Sequence, residues 1–179
     1  TKALIKLEKQ PVNLTAMVLG VPDFASVVGL LNRFNNALSL TAFEFFDAIA
    51  IDKVVGAGHA KAPFDSQTPF YVLLEFEAVS DSVLDIAMNT FEIAMEDGLI
   101  VDGVMSQSMG QLQELWKLRE SISETISVFT PYKNDISVLI THLEAFIADI
   151  ETIVKDNYPD FEICWFGHIG DGNLHLNIL

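Results

Sequence analysis

The sequence predicts an α+β fold in which helices pack on one side of a largely antiparallel sheet. Three observations predict it: short strand-like apolar runs, longer segments with apolar residues at helical spacing, and Gly, Pro or Asp residues between them. Half of the 179 residues are hydrophobic and 13 are Phe, so the chain can bury a sizeable core. We expect one large domain, or two small units that share a core.

The first part of the chain alternates strands and helices. We expect strands at 3–7 and 14–19, a helix from Pro22-Asp23 to 37, a strand at 42–46, a short helix at 47–55, a strand at 70–76, a helix at 80–95 and a strand at 100–105. The order is an internal duplication of a small split βαβ unit, which predicts duplicated ferredoxin-like units.

The second part continues the pattern. A helix is expected at 110–128, a strand at 135–138, a helix at 141–157 and a hairpin at the end of the chain. The segment 56–69 is the longest irregular loop, and its His59 has no partner signal nearby, which favours a plain loop residue.

The charge balance excludes one class of partner. The 25 acidic residues outnumber the 10 basic ones, giving a formal charge of −15, and no Lys/Arg cluster is present to bind a nucleic acid. No apolar run is long enough to span a membrane. The single cysteine, Cys164, suits a reducing compartment, so we expect a cytoplasmic protein, with peripheral membrane or organellar location as the alternative.

The terminal hairpin carries the first functional signal. Asp171-Gly172 is typical of a tight turn, and if these are its two central residues, His168 lies opposite His175. Cross-strand partners have Cβ atoms about 5 Å apart, close enough for two imidazoles to hold one metal ion. Asn177 is expected on the same side as His175. The alternative is a hairpin whose histidines are simply solvated.

A positive charge on an apolar helix face is the second signal. The stripe consists of Leu112, Leu115, Trp116, Ile122 and Ile126. At helical spacing Arg119 falls near its centre, with Ser123 one turn further on the same side. A buried guanidinium needs an anionic partner. Arg119 is therefore either half of a structural ion pair with one of the acids or a fork for a ligand carboxylate, with Ser123 as a further donor.

Three segments resemble a known family. They are Leu115-Trp116-x-Leu118-Arg119-Glu120-x-Ile122-Ser123-Glu124, Tyr132-Lys133-x-Asp135-Ile136-Ser137 and Gly167-His168-x-Gly170-Asp171-Gly172-Asn173-Leu174-His175-Leu176-Asn177. They are similar to the C-terminal substrate domain of FAD-linked oxidases, the group that contains D-lactate dehydrogenase, the glycolate oxidase flavin subunit and D-2-hydroxyglutarate dehydrogenase. The resemblance extends to Phe43–Asp47 and covers nearly the whole chain.

The resemblance implies roles for individual residues. It makes His168 and His175 ligands of a divalent metal, zinc or manganese, with a further glutamate ligand downstream of this sequence. It implies that Arg119 and Lys133 hold a substrate carboxylate. Ser123 stands where the family has Thr, which keeps the hydroxyl group, and Asn177 matches an asparagine that contacts the substrate.

The implied activity is FAD-dependent, metal-assisted oxidation of a D-2-hydroxy acid to the 2-oxo acid. The basic pair Arg119 and Lys133 favours a dicarboxylate such as D-2-hydroxyglutarate, because a monocarboxylate has only one anionic end. Oxidation of D-lactate or glycolate is the alternative within the family. A non-catalytic ferredoxin-like module that binds an acid, and a metal-dependent hydrolase with Asp171 as a third ligand, are alternatives outside it.

The resemblance also implies a domain organisation. Residues 1–179 correspond to the substrate (cap) domain, and the chain begins and stops inside strand-like segments, which suggests truncation at both ends. The FAD-binding domain is expected outside these residues, so the chain alone should be colourless and inactive. The sequence does not identify the electron acceptor, and a homodimer is one assembly state compatible with it.

Overall fold

The computed structural model describes residues 2–5 and 10–179, which form a seven-stranded sheet with helices on both faces. The strands are β1 (Leu14–Val21), β2 (Leu40–Asp47), β3 (Phe70–Glu77), β4 (Asp102–Met105), β5 (Tyr132–Ser137), β6 (Ile163–His168) and β7 (Asn173–Ile178). The helices are α1 (Phe24–Ala37), α2 (Ala48–Gly56), α3 (Asp81–Glu96), α4 (Met109–Glu120), α5 (Ile122–Ile126) and α6 (Leu143–Asn157).

The sheet has the order β4-β1-β3-β2-β6-β7-β5, and all its neighbouring strands are antiparallel. The predicted α+β class with an antiparallel sheet is confirmed. The order β4-β1-β3-β2, with α1 and α3 as crossovers, is that of one ferredoxin-like βαββαβ unit. Strands β5, β6 and β7 with α6 repeat the β1-α1-β2-β3 part of this unit, because the order β5-β7-β6 matches β1-β3-β2. The predicted repetition of the ferredoxin-like unit is therefore present within one continuous sheet.

The prediction that helices pack on one side only is wrong. Alternate residues of the central strand β1, such as Val18 and Leu19, are both fully buried, so both faces of the sheet need a cover. Helices α1, α3 and α6 supply one apolar core with Leu19, and α2, α4 and α5 supply the other with Val18. We call the face that carries Val18, Leu73, Phe46 and Phe166 the site face.

Acidic N-caps begin the two helices next to β2. The Asp23 carboxylate accepts a hydrogen bond from the Ser26 backbone N–H at 2.7 Å and begins α1. The Asp47 carboxylate does the same for Ala50 at 2.8 Å and begins α2. Because Asp47 also ends β2, it turns the chain directly from the sheet onto the site face.

Two predicted elements differ from the structure. The predicted strand at 3–7 lies partly outside the described residues, and its described positions 3–5 are not in a strand, with Leu4 and Ile5 exposed. The single helix predicted at 110–128 is two helices, α4 and α5, which meet at Ser121. Arg119 therefore lies in the last turn of α4, and Ser123 lies in the short helix that follows.

The helices of the site face leave one end of the sheet open. Their core reaches Cys164 and Phe166 of β6, and among the described residues it includes no member of β7 or β5. At this end of the site face Lys133 and Asp135 of β5 are exposed and His175 of β7 is half-buried, while Asn177 of β7 is buried. The alternation of side chains along each strand places the predicted functional residues of β5, β6 and β7 on this face, at this end of the sheet.

Candidate functional site

Strand pairing brings the predicted site residues into adjacent rows on the site face. His168 lies between Glu44 of β2 and Asn173 of β7. His175 lies between Phe166 of β6 and Asp135 of β5. In the next row Asn177 lies between Cys164 and Lys133.

The hairpin register differs from the prediction. His168 opposes Asn173, and His175 opposes Phe166, so the predicted direct pairing of the two histidines is wrong. The connection is four residues long, Ile169 to Gly172, and of its Asp-Gly pair only Gly172 has a positive φ, 72°. A two-residue type I′ turn needs positive φ at both central residues, which Asp171 does not adopt.

The two histidines are nevertheless neighbours. The register is offset by two residues, and an even offset keeps every side chain on its face of the sheet. His168 and His175 are diagonal neighbours whose ring centroids are 5.5 Å apart, with the rings nearly perpendicular. The predicted clustering of both histidines on one face therefore holds although their pairing does not.

A carboxylate holds each imidazole at the same ring atom. His168 Nδ1 lies 2.7 Å from Glu44 Oε1, and His175 Nδ1 lies 2.5 Å from Asp135 Oδ1. A carboxylate only accepts hydrogen bonds, so each Nδ1 carries the hydrogen and donates it. This leaves the Nε2 lone pair of both rings available, which is the arrangement that metal-binding histidines use.

Arg119 has a partner that the sequence did not identify. Its Nε donates to Glu44 Oε2 at 2.9 Å, and its guanidinium lies 4.7 Å from the ring centroid of Phe166. Burial lowers the pKa of Arg119, while the charge of Glu44 opposes that shift. The predicted structural ion pair is present. Within the described residues Arg119 donates to no other side chain, so its two Nη groups carry no protein hydrogen bond there.

The other predicted ligand residues differ in exposure. Lys133 is an exposed residue of β5, and Ser123 is exposed on α5. Asn177 is 3% exposed, and its Nδ2 donates to the carbonyl oxygens of His175 at 3.3 Å and Cys164 at 3.5 Å. Its amide thus supports the backbone beside the histidines.

Sequence reasoning missed the two carboxylates that orient the histidines. Glu44 is a charged residue between Phe43 and Phe45 in a central strand, which is an unusual position for a carboxylate and was a usable signal. Asp135 is exposed, and nothing in its local sequence distinguishes it from a surface acid.

The described residues contain two histidines suited to a metal ion but no complete metal site. Across residues 2–5 and 10–179, no group of three or more His, Cys, Asp or Glu side chains is arranged to hold a metal ion. His168 and His175 alone fit as two nitrogen ligands. Asp171 Oδ1 accepts from the Asn173 backbone N–H at 3.2 Å, which supports the turn.

Across residues 2–5 and 10–179, no helix combines the length and apolarity needed to cross a membrane.

The chain is similar to several D-2-hydroxy acid dehydrogenases. D-2-hydroxyglutarate dehydrogenase of Stutzerimonas stutzeri (strain A1501) is 60% identical over 178 residues, which is 99% of this chain and 38% of that protein. D-2-hydroxyglutarate dehydrogenase of Xanthomonas citri pv. viticola is 44% identical with the same coverage. A putative mitochondrial D-lactate dehydrogenase of Schizosaccharomyces pombe is 31% identical over 99% of the chain and 36% of that protein. The chain thus spans well under half the length of these relatives.

Solved structures share the fold at low sequence identity. p-Cresol methylhydroxylase matches with a TM-score of 0.62 and 6% identity over 95% of this chain and 39% of that one. Alkyldihydroxyacetonephosphate synthase matches with a TM-score of 0.56 and 15% identity over 94% of this chain and 35% of that one. The sequence profile described as "FAD linked oxidases, C-terminal domain" matches residues 10–179. The chain therefore belongs to the family of FAD-linked oxidase C-terminal domains.

Proposed function

We propose that this chain is the substrate domain of an FAD-dependent dehydrogenase that oxidises a D-2-hydroxy acid, with a dicarboxylate such as D-2-hydroxyglutarate favoured. The observation that carries the proposal is the pair His168 and His175, oriented by carboxylates beside the buried Arg119. The 60% identity to a D-2-hydroxyglutarate dehydrogenase supports the substrate class.

The histidine pair is the proposed binding site for the reacting end of the substrate. Hydrogen bonds at Nδ1 fix both rings and leave the two Nε2 atoms to hold a divalent metal, zinc or manganese. Such a metal supplies a Lewis acid for the 2-hydroxyl and the adjacent carboxylate. Two histidines do not complete a metal site, and the family resemblance supplies a glutamate from further along the protein.

The basic side chains are the proposed site for the second carboxylate. The two Nη groups of Arg119 suit a carboxylate fork, while Glu44 holds its Nε. Lys133 adds a second positive charge from β5, and Ser123 adds a hydroxyl donor from α5. Asn177 keeps the strand that carries His175 in place through the His175 carbonyl.

The redox chemistry belongs to the flavin. When bound, FAD would supply the acceptor for the hydride that the substrate carbon loses, while the hydroxyl group would lose its proton. We propose that its binding domain lies outside residues 1–179 and that this chain binds and orients the substrate for it. The buried, free Cys164 suits a reducing compartment such as the cytoplasm, which is part of the proposal.

Oxidation of a D-2-hydroxy monocarboxylate is the second candidate, favoured by the 31% identity to a putative D-lactate dehydrogenase. Both candidates use the histidine pair in the same way. They differ in whether Lys133 and Arg119 bind a second carboxylate, so substrate choice and the effect of changing Lys133 distinguish them.

The test uses the protein with its natural flanking sequence. We expect bound FAD, and dye reduction that depends on D-2-hydroxyglutarate. His168→Ala should abolish both tight metal binding and turnover. Arg119→Lys, which keeps the charge but loses the fork, should raise KM for D-2-hydroxyglutarate by about tenfold or more, as expected for loss of a charge-assisted hydrogen bond.

His59→Ala is the matched control, because His59 is an exposed loop residue outside the strands that carry the proposed site. It should leave metal content and turnover unchanged. The proposal fails if the protein holds no FAD, or if His168→Ala and Arg119→Lys both turn over like the unmodified protein.

A further inference from the structure

Glu44 contacts both halves of the proposed site. It lies on β2, is 6% exposed, and uses both carboxylate oxygens. Oε1 lies 2.7 Å from His168 Nδ1, and Oε2 accepts from Arg119 Nε at 2.9 Å. Among the described residues it is the only side chain in hydrogen-bond contact with both a histidine of the pair and Arg119.

We propose that Glu44 is a positioning residue that couples the two ends of the substrate site, so that metal binding at His168 and carboxylate binding at Arg119 depend on the same side chain. The inference deepens the proposed function and rests on it. It is based on one buried carboxylate that orients both the His168 imidazole and the Arg119 guanidinium.

Glu44 supplies a negative charge between two positive positions of the proposed site. Arg119 is 9% exposed, and an unpaired guanidinium at that depth is costly. A metal held at His168 adds more positive charge on the same face. Glu44 lies between the two positions and supplies a negative charge to both, so it lowers the cost of having them close together.

The direction of the two hydrogen bonds also requires a carboxylate at position 44. Glu44 faces two donors, Arg119 Nε–H and His168 Nδ1–H, and a carboxylate accepts from both. A glutamine amide has one acceptor oxygen and one NH₂ group. In Glu44→Gln, either Arg119 faces the NH₂ group and loses its bond, or His168 accepts from it. In the second case His168 carries its hydrogen on Nε2, which blocks that atom as a metal ligand.

Glu75 is a matched control on the adjacent strand. It is 8% exposed, lies on the site face, and also uses both oxygens. Oε2 accepts from Trp116 Nε1 at 2.8 Å, and Oε1 accepts from Thr41 Oγ1 at 2.7 Å. Glu75→Gln therefore disturbs a buried carboxylate with two donors without touching Arg119 or either histidine.

The experiment compares unmodified protein, Glu44→Gln and Glu75→Gln, each with the natural flanking sequence. Zinc affinity is measured by chelator competition. KM is measured with D-2-hydroxyglutarate as substrate, and stability is measured as the midpoint of unfolding in urea. We expect Glu44→Gln to weaken zinc binding by about 10–100-fold and to raise KM, as for loss of a group that orients a metal ligand. Glu75→Gln should lower the unfolding midpoint comparably while zinc affinity and KM change less than about twofold.

Glu44→Asp keeps the charge but withdraws the carboxylate by one methylene, so it cannot contact both donors. If Glu44→Gln does not fold, Glu44→Asp carries the test, with weaker zinc binding and raised KM expected again. The inference is overturned if the Glu44 variant matches the unmodified protein in zinc affinity and KM. It is also overturned if Glu75→Gln changes zinc affinity and KM as much as the Glu44 variant does. If the unmodified protein binds no zinc, the metal part of the proposed function and this inference both fall.

Discussion

His168 and His175 lie 5.5 Å apart between ring centroids although they do not oppose each other in the hairpin. The offset of two residues in the register makes them diagonal neighbours, and each is fixed at Nδ1 by a carboxylate from the strand beside it. The position of the pair thus depends on the spacing of β6 and β7 and on the strands on either side.

Gly167 should control that spacing. A Cβ added to it would meet the Asn173 carbonyl oxygen and lie 2.9 Å from Leu174 Cα, both backbone atoms of β7. We expect Gly167→Ala to force β6 and β7 apart. The free energy of unfolding should fall by at least about 1 kcal/mol. Urea denaturation measures the loss of stability, and zinc content measures the displacement of the histidines.

Gly170→Ala is the control for that change. A Cβ at Gly170 meets nothing within 4 Å, and its φ is not positive. Its free energy of unfolding should stay within about 0.5 kcal/mol of the unmodified protein. Equal stability and zinc content of the two alanine variants would contradict the proposed role of the strand spacing.

Lys133 should decide between a dicarboxylate and a monocarboxylate. Lys133→Met keeps the length of the side chain and removes its charge. We expect KM for D-2-hydroxyglutarate to rise by about tenfold, as for loss of a charge-assisted hydrogen bond, and KM for D-lactate to change less than about twofold. Lys155→Met, at an exposed position on α6, is the control and should change neither KM. Equal increases with both substrates would favour the monocarboxylate candidate.

Asp47 should make the stability of the protein depend on pH. Its carboxyl accepts backbone N–H bonds from Ala50 and Trp165, both at 2.8 Å, in a buried position. Burial raises the pKa of Asp47 from 3.8 to about 7, the charge of Glu151 adds to this, and the two hydrogen bonds oppose it.

The direction of the pH effect follows from that raised pKa. Between the ordinary pKa of 3.8 and about 7 the folded protein keeps a proton that the unfolded chain has released. The stabilising contribution is therefore complete below the lower value and is lost as pH rises, by at most about 1.4 kcal/mol per pH unit. Urea denaturation should show the free energy of unfolding of the unmodified protein, minus that of Asp47→Asn, falling as pH rises from 3.8 to about 7. A difference that rises with pH would contradict this.

The sequence predicted local structure well because local patterns determine it. The spacing of Val27, Leu30, Leu31 and Phe34 and the cap at Asp23 were sufficient for α1. The same patterns did not show that both faces of the sheet are covered. Consecutive residues of β1 are apolar and buried on both sides, and this run is the sequence signal for two helical layers.

The sequence predicted the site residues that stand out in their local sequence, but not the contacts between them. Arg119 was expected to have an acidic partner, but Glu44 lies 75 residues away and no local pattern joins them. The hairpin brought the right histidines together in the wrong register, because Asp171-Gly172 suggested a two-residue turn where the chain makes a longer connection. A contact between strands far apart in the chain decided the first outcome, and the length of the hairpin connection decided the second.

The most direct test of the account is anomalous diffraction at the zinc edge from crystals of the flavin-containing protein, grown with zinc and soaked with D-2-hydroxyglutarate. The account predicts a zinc peak bonded to Nε2 of both His168 and His175, with the distal carboxylate of the ligand on the Nη groups of Arg119. A structure with no zinc at the two histidines, or with the distal carboxylate bound away from Arg119, would contradict it.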